Sequence, residues 1–255
     1  MRLKAVDDAL YAAERDRGLL PVAESPTFNP GLNLEREARY VKTVESPSFR
    51  VWRSTDSVVL GRFLEAAREV HLELAAELGV PVLRRPSGGG AVFHDLGNVN
   101  YSIYLPRNLS PVGRVEDGLR ALSFPVIDVL EHYGVPWSWE PPNNICVNGL
   151  KISGSAQARS GEHLIHHGTL LVSTNLARLG SLLKRNGRSK WVPVVNLSEV
   201  SEGATVDEIA AVMERVLQNN ILYCEGDRIL SILSKPESDE AALPGEEAMN
   251  GTGKR

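Results

Sequence analysis

Two short turn signals do most to limit what the middle of this chain can become. Asn148-Gly149 lies between apolar pairs, and Ser160-Gly161 lies between Gln157 and Leu164. Such dipeptides favour tight turns whose twist joins antiparallel strands. Three antiparallel strands are therefore predicted, near 144–148, 150–158 and 163–173. Around them, β-branched and aromatic residues predict strands at 49–53 and 57–60 about the Ser54-Thr55-Asp56 turn, and apolar spacing predicts helices at 34–43 and 66–78. A longer helix is predicted at 114–132, where Val115, Leu119, Leu122, Val126, Val129 and Leu130 share a stripe that ends at Gly134. Asn175 and Thr205 can cap helices running to Leu183 and to about Cys224. The mixture predicts an α+β fold with a mixed, largely antiparallel sheet flanked by helices.

The ends read differently. Leu3, Val6, Leu10 and Ala13 suit a short helix over 3–16, and Pro21, Pro26 and Pro30 make 19–31 an extended linker. Residues 236–255 hold five acids, two bases and no aromatic residue, which predicts a disordered acidic tail. The expected organisation is an N-terminal helix and linker at 1–32, one catalytic domain at 33–235 and the tail at 236–255. The 28 basic and 32 acidic side chains give a net charge of −4, near −1 without the tail. That balance supplies no chain-wide reason to bind nucleic acid or an anionic membrane. Two distant cysteines, Cys146 and Cys224, cannot build a disulfide framework, and no apolar run reaches membrane-spanning length. A soluble, cytoplasmic protein is expected.

The segment Arg84-Arg85-Pro86-Ser87-Gly88-Gly89-Gly90-Ala91-Val92-Phe93-His94-Asp95 carries the strongest chemical signal. Three glycines in a row suit neither a helix nor a strand interior, but they let a ligand approach the backbone amides closely. An adjacent guanidinium can hold a carboxylate or phosphate in a fork. The alternative is a turn with solvated arginines. The loop is not a P-loop, since the Gly-Lys-Ser/Thr ending is missing, and it is not a dinucleotide-binding fingerprint.

Lys151-Ile152-Ser153-Gly154-Ser155-Ala156-Gln157 follows the first hairpin turn. Strict alternation would put Lys151, Ser153 and Ser155 on one face and Leu150, Ile152 and Ala156 on the other. A strand lysine is ordinarily a solvated one, but Gly154 within the strand suggests close approach of a ligand or of backbone. His163, His166 and His167 do not form a metal-ligand pattern: 163 and 167 face one side, 166 the other, with no acidic or cysteine partner at metal-site spacing.

The segments Arg84 to Asn98, Lys151 to Ala156 and His166 to Leu170, together with Asn33-Leu34, Glu37, Trp52-Arg53 and Val58 to Arg62, resemble the signature segments of lipoate-protein ligase A. That family lies within the biotin/lipoate ligase and octanoyltransferase superfamily, and the similarity runs from about Asn33 to Leu197. The resemblance implies a biotin/lipoate ligase-like catalytic domain. It implies activation of lipoate by ATP to lipoyl-AMP, then transfer of the lipoyl group to a lysine of a lipoyl domain of a 2-oxoacid dehydrogenase E2 or of glycine cleavage H protein. ATP and Mg2+ are implied as co-substrate and ion, lipoate or octanoate as substrate, and no tightly bound cofactor. By the same resemblance Lys151 is the catalytic lysine, and Arg85, Gly90, Ala91, Val92 and Phe93 are nucleotide-binding positions. Ser87, Gly88, Gly89, His94, Asn98, Ser153, Ala156 and His167 line the acyl-adenylate. The family usually has Asn-Asp where this chain has Asn143-Asn144, so no metal ligand is assigned.

Single-chain ligases of this family carry a further domain after the catalytic one, for which the sequence has no room. A separate small accessory subunit is therefore expected. A lipoyltransferase using preformed lipoyl-AMP, or an octanoyltransferase working from acyl carrier protein, are the alternatives. The last needs a nucleophilic thiol, and neither Cys146 in its strand nor Cys224 at a helix end is placed like one. A non-catalytic acyl-binding homologue is disfavoured by Arg85, the glycines and Lys151, and a biotin-protein ligase by the absence of a basic Gly-Arg-Gly loop.

Overall fold

Both turn signals close hairpins. In the computed structural model, which describes residues 27–106, 114–161, 163–185, 187 and 192–222, Asn148 and Gly149 take φ of 51° and 74° and Gly161 takes 57°. They join β7 (Asn144–Val147), β8 (Leu150–Ser160) and β9 (His163–Leu171). The same sheet contains β1 (Ser48–Trp52), β5 (Asn98–Pro106) and β6 (Ser138–Glu140), in the order β1-β5-β9-β8-β7-β6, and every pairing is antiparallel. The expected α+β fold with a largely antiparallel sheet is present, and a smaller second sheet accompanies it. β2 (Ser57–Leu60), β3 (Val82–Arg84) and β4 (Val92–His94) form a second sheet of order β3-β2-β4, in which β2 runs parallel to β3 and antiparallel to β4. The first 26 residues, with the predicted helix at 3–16, and the segment from 223 onward, with Cys224 and the predicted tail, lie outside the described residues.

Four helix predictions change, the first three for a local reason. The first helix, α1 (Pro30–Thr43), begins inside the stretch assigned to the linker, because proline at the first helical position loses no intrahelical bond and Asn29 caps the turn by accepting from Leu32 N at 3.0 Å. The helix predicted at 66–78 divides into α2 (Ala66–Glu69) and α3 (Leu72–Glu77). Val70 leaves helical geometry to bridge Leu183, and His71 N bonds Leu182 O at 2.9 Å. The helix predicted at 114–132 divides into α4 (Val115–Ala121) and α5 (Phe124–His132). Pro125 has no N–H and its ring would collide with the Ala121 carbonyl, so one continuous helix cannot pass it. After α6 (Leu176–Leu182) and α7 (Leu197–Val200), α8 (Val206–Leu217) starts at a capping box of Thr205 and Glu208. It ends earlier than predicted, in a wider turn at 218–222.

Strand β5 shows how the layers work. Val99, Tyr101, Ile103 and Leu105 point to one face, where they pack with Val126, Val129 and Leu130 of α5 and Ile209, Met213 and Leu217 of α8. Each such buried aliphatic side chain contributes about 1.5–3 kcal/mol of transfer free energy. The alternate positions Asn98, Asn100, Ser102 and Tyr104 are just as buried, beneath α1 and beside the second sheet. A buried polar strand face is costly unless something pairs with it, and here it forms the floor of a cavity.

The two sheets meet where β4 runs into β5. At this corner the Asp95 carboxylate accepts from Gly97 N at 2.8 Å and Asn175 N at 2.7 Å, while Asp95 N donates to Asn98 Oδ1 at 2.8 Å. Gly97 lies so close to the backbone of Ser173 and Thr174 that no Cβ fits there.

Candidate active site

The cavity has a volume of about 390 Å³. It lies between the polar face of the first sheet, α1, the glycine loop and the strand pair β6–β7. The loop is held from within. Arg85 Nε donates to Ser87 Oγ at 2.9 Å, Nη1 to Val59 O at 3.2 Å, and Nη2 to Gly88 O at 2.7 Å and to Gly90 O at 2.8 Å. Of the five N–H groups of a guanidinium, four are thus spent on the protein. The fork predicted for an anion is mainly a brace that shapes the loop. Burial, opposed by the Glu37 charge, brings the Arg85 pKa down to about 10, so the group remains a cation at neutral pH.

Neighbouring backbone adds to the clamp. Arg62 N donates to Ser87 O at 2.8 Å, Arg84 Nη1 donates to Gly61 O at 2.8 Å, and a Cβ on Gly61 would overlap the Gly89 carbonyl. Gly61→Ala is therefore expected to displace the loop and to lower the melting temperature by several degrees. A thermal melt checks it, and wild-type stability in the alanine variant would contradict the close packing.

A chain of buried polar groups runs under the loop. Trp52 Nε1 donates to Ser102 Oγ at 2.9 Å, and the Ser102 hydroxyl donates to Glu37 Oε1 at 2.5 Å. Glu37 meets His167 Nδ1 at 3.0 Å, and His167 Nε2 meets Ser87 Oγ at 2.6 Å. With Glu37 ionised, Nδ1 carries a proton toward it. Burial alone would push the Glu37 pKa up, but His167, Ser102 and Arg50 together outweigh it and hold the carboxyl below its ordinary range. His166, one residue away on the opposite face, meets Tyr101 Oη at 3.1 Å and Gln157 at 3.1 Å, and its burial keeps it well below the usual histidine range. The two histidines therefore serve different layers, as strand alternation predicts. Among the described residues no group of three or more His, Cys, Asp or Glu side chains could hold a metal ion.

Lys151 is placed by a register shift that its sequence does not advertise. β7 and β8 pair Ile145 with Ser153 but Cys146 with Lys151, so Ile152 is a bulged extra residue. The bulge reverses the face of everything on one side of it. Lys151 therefore does not share a face with Ser153 and Ser155. Those serines pair opposite Leu170 and Gly168 on the helix-packed side, where Ser155 Oγ accepts from Ser123 Oγ at 3.3 Å. Lys151 instead reaches over Gly154, where a Cβ would stand 2.8 Å from Nζ. The ammonium lies within the cavity, and burial, aided by Arg85, lowers its pKa. Among the described residues it makes no hydrogen bond or ion pair. The paired Cys146 is fully buried and does not line the cavity, and its thiol is pushed up to about 11 by burial, with Glu140 adding to the rise. A thiol held protonated is a poor nucleophile.

Of the predicted site residues, Arg85, Gly90, Ala91, Val92, Phe93, His94, Lys151, Ser153, Ala156 and His167 line this one cavity. Ser87, Gly88 and Gly89 form the braced loop behind it, and Asn98 sits at the corner, donating to Thr169 Oγ1 at 3.2 Å. His94 is buried and its pKa falls to about 4, chiefly through burial, so it is neutral at pH 7. Asn100, Glu140 and Thr169, which carry no sequence signal for the site, also line the cavity, as do Glu37 and Trp52, to which the resemblance gives no role. The alternation of Asn98, Asn100 and Ser102 with apolar residues marked a two-faced strand, but a solvated outer face fits that pattern equally well.

The sequence model described as lipoyl protein ligase A/B catalytic domain matches residues 29–218. The chain belongs to this family. Its match thus begins at the cap of α1 and ends just past α8, so the family's domain contains the whole cavity. Among relatives of the lipoyl protein ligase A/B catalytic domain, lipoate-protein ligase A of Bdellovibrio bacteriovorus is 33% identical over 215 residues, 78% of this chain and 61% of that protein. The chain spans between 55% and 64% of the first curated relatives it matches. Two solved structures share the fold. One, described as a bi-partite lipoate protein ligase and its E2 lipoyl domain from Thermoplasma acidophilum, has a TM-score of 0.68 at 24% identity and covers 82% of this chain and 88% of its own. The other, lipoate-protein ligase A bound with ATP, has a TM-score of 0.65 at 24% identity and covers 83% and 92%.

Proposed function

We propose that this chain is the catalytic subunit of a lipoate-protein ligase. It would activate lipoate with ATP and pass the lipoyl group to a lysine on a lipoyl domain or on glycine cleavage H protein. The observation that carries the reading is the Lys151 ammonium, inside the cavity, held over a glycine and making no ion pair or hydrogen bond among the described residues. A half-buried cation of this kind calls for an anionic ligand, and the reaction brings two, a carboxylate and a triphosphate.

In the first step a carboxylate oxygen of the acid forms a bond to the α-phosphorus of ATP, and the bond to pyrophosphate breaks. Negative charge crowds between the two reacting groups, and Lys151 offsets it where it develops. The loop from Ser87 to Phe93, braced by Arg85, offers backbone amides to the phosphates. In the second step the acceptor amine attacks the acyl carbon, AMP leaves, and the amine's extra proton passes to solvent. No side chain of the protein need be acylated. Magnesium would arrive with the nucleotide; Asn143 and Asn144 stand at that lip of the cavity, but Asn144 offers an amide where a carboxylate would bind the ion better.

The bi-partite ligase to which this fold is similar supports a separate accessory polypeptide here also. Use of ATP and a reduced Cys146 suit the cytoplasm, and among the described residues no helix is long and apolar enough to cross a membrane. The test is release of pyrophosphate by purified protein from ATP, magnesium and lipoate, followed by lipoylation of an added lipoyl domain, with and without cell extract. Modification that proceeds from octanoyl-acyl carrier protein without ATP, and that is lost in Cys146→Ser, would overturn the reading in favour of a transferase.

A further inference from the structure

Trp52, Asn100, Thr169 and Gly154 stand in one row across four neighbouring strands, because β1, β5, β9 and β8 pair at these positions. All four line the cavity. The Lys151 ammonium lies over Gly154 at one end of the row, and Trp52, tethered by its indole to Ser102, stands at the other. With strands about 4.8 Å apart, Asn100 is about 10 Å from Gly154. An acid of eight carbons, with C–C bonds of about 1.5 Å, extends about 9 Å. A carboxylate at Lys151 would therefore bring the far end of such an acid to Asn100.

Asn100 is 1% exposed, and neither its Nδ2 nor its Oδ1 has a hydrogen-bond partner among the described residues. Close by, His94 packs edge-on to Trp52 with ring centroids 5.7 Å apart, and its Nδ1 is also unpaired. The neighbouring Thr169 hydroxyl accepts from Asn98 at 3.2 Å, and no hydrogen bond joins it to Asn100. A buried amide without partners bears the full cost of its lost water. A methyl-terminated chain laid against it would leave that cost in place. Sulfur at the chain end is a weak acceptor, but it gives the amide N–H something to meet.

We propose that Asn100 is a specificity-determining residue of the acyl pocket, favouring an acid whose far end carries sulfur over a plain hydrocarbon acid of equal length. The proposal rests on the acid-activating reading of the cavity given above. Its test compares kcat/KM for ATP-dependent pyrophosphate release with lipoate and with octanoate in wild type, Asn100→Leu and Asn100→Thr. Wild type is expected to prefer lipoate by about tenfold or more. In Asn100→Leu that preference should shrink about tenfold through the KM for the acids, with the KM for ATP unchanged. Calorimetric binding of each acid to the wild-type chain without ATP gives the same comparison should the variants fail to fold. Equal affinity of wild type for the two acids, or an unchanged ratio in a folded variant, overturns the role of Asn100. Binding that discriminates between the acids without pyrophosphate release from either would count against the activating reading while leaving the pocket's selectivity in place.

Discussion

Lys151→Ala is expected to lower adenylate formation by about three orders of magnitude while the chain stays folded. The lysine reaches over Gly154 into the cavity, so its loss removes a cation from the place where charge develops and leaves no core void. The melting temperature should move by only a few degrees, because burying an ammonium is itself costly and alanine relieves that cost. Arginine should rescue poorly, since the space above Gly154 is set by the Lys151 Cε and Nζ atoms at 2.8 Å from a Cβ position. Single-turnover formation of acyl-AMP beside a thermal melt separates the two effects. Undiminished adenylation in a folded Lys151→Ala protein would remove the lysine from the mechanism.

The largest expected loss of stability is at Glu37. Its carboxylate is fully buried and meets both the Ser102 hydroxyl and His167, so Glu37→Ala strips two buried groups of their acceptor at once. Breaking a buried pair by removing one partner costs about 3–5 kcal/mol, which corresponds to a fall in Tm of about 10 °C in a chain of this size. The acid side carries a second signature. The folded-state pKa of Glu37 lies below the ordinary carboxylate value of 4.5, so its contribution to stability is present above that value and is lost as the pH falls through the folded pKa. Denaturant melts of wild type should weaken below about pH 4.5, and Glu37→Gln, less stable at pH 7, should show a flatter acid limb. Parallel acid limbs would contradict the assignment of that titration to Glu37.

The hairpins were legible because each is specified within two residues, and so was the gathering of the glycine loop, Lys151 and His167. What was not legible is long-range. A bulge at Ile152 arises from how β7 and β8 fit together, and Val-Asn-Gly-Leu-Lys-Ile reads as an unbroken hairpin without that partner geometry. Pro125 marks a helix boundary in the sequence, but the apolar stripe on both sides of it reads as continuous. Splitting into two sheets depends on β2 pairing with β3 across more than twenty residues, a choice no local pattern records. Glu37 lies one helical turn beyond Asn33 on a helix with mostly charged neighbours. Only its full burial distinguishes it from Glu35, which is exposed.

The glycine loop belongs to one sheet and Lys151 to the other, and the Asp95–Gly97 corner is the short connection between them. The gap between the glycine loop and Lys151 is thus a mechanical setting of that joint. Gly97 and Asn175, which do not line the cavity, hold the jaw width, so the cavity's size can be retuned there while each wall keeps its side chains.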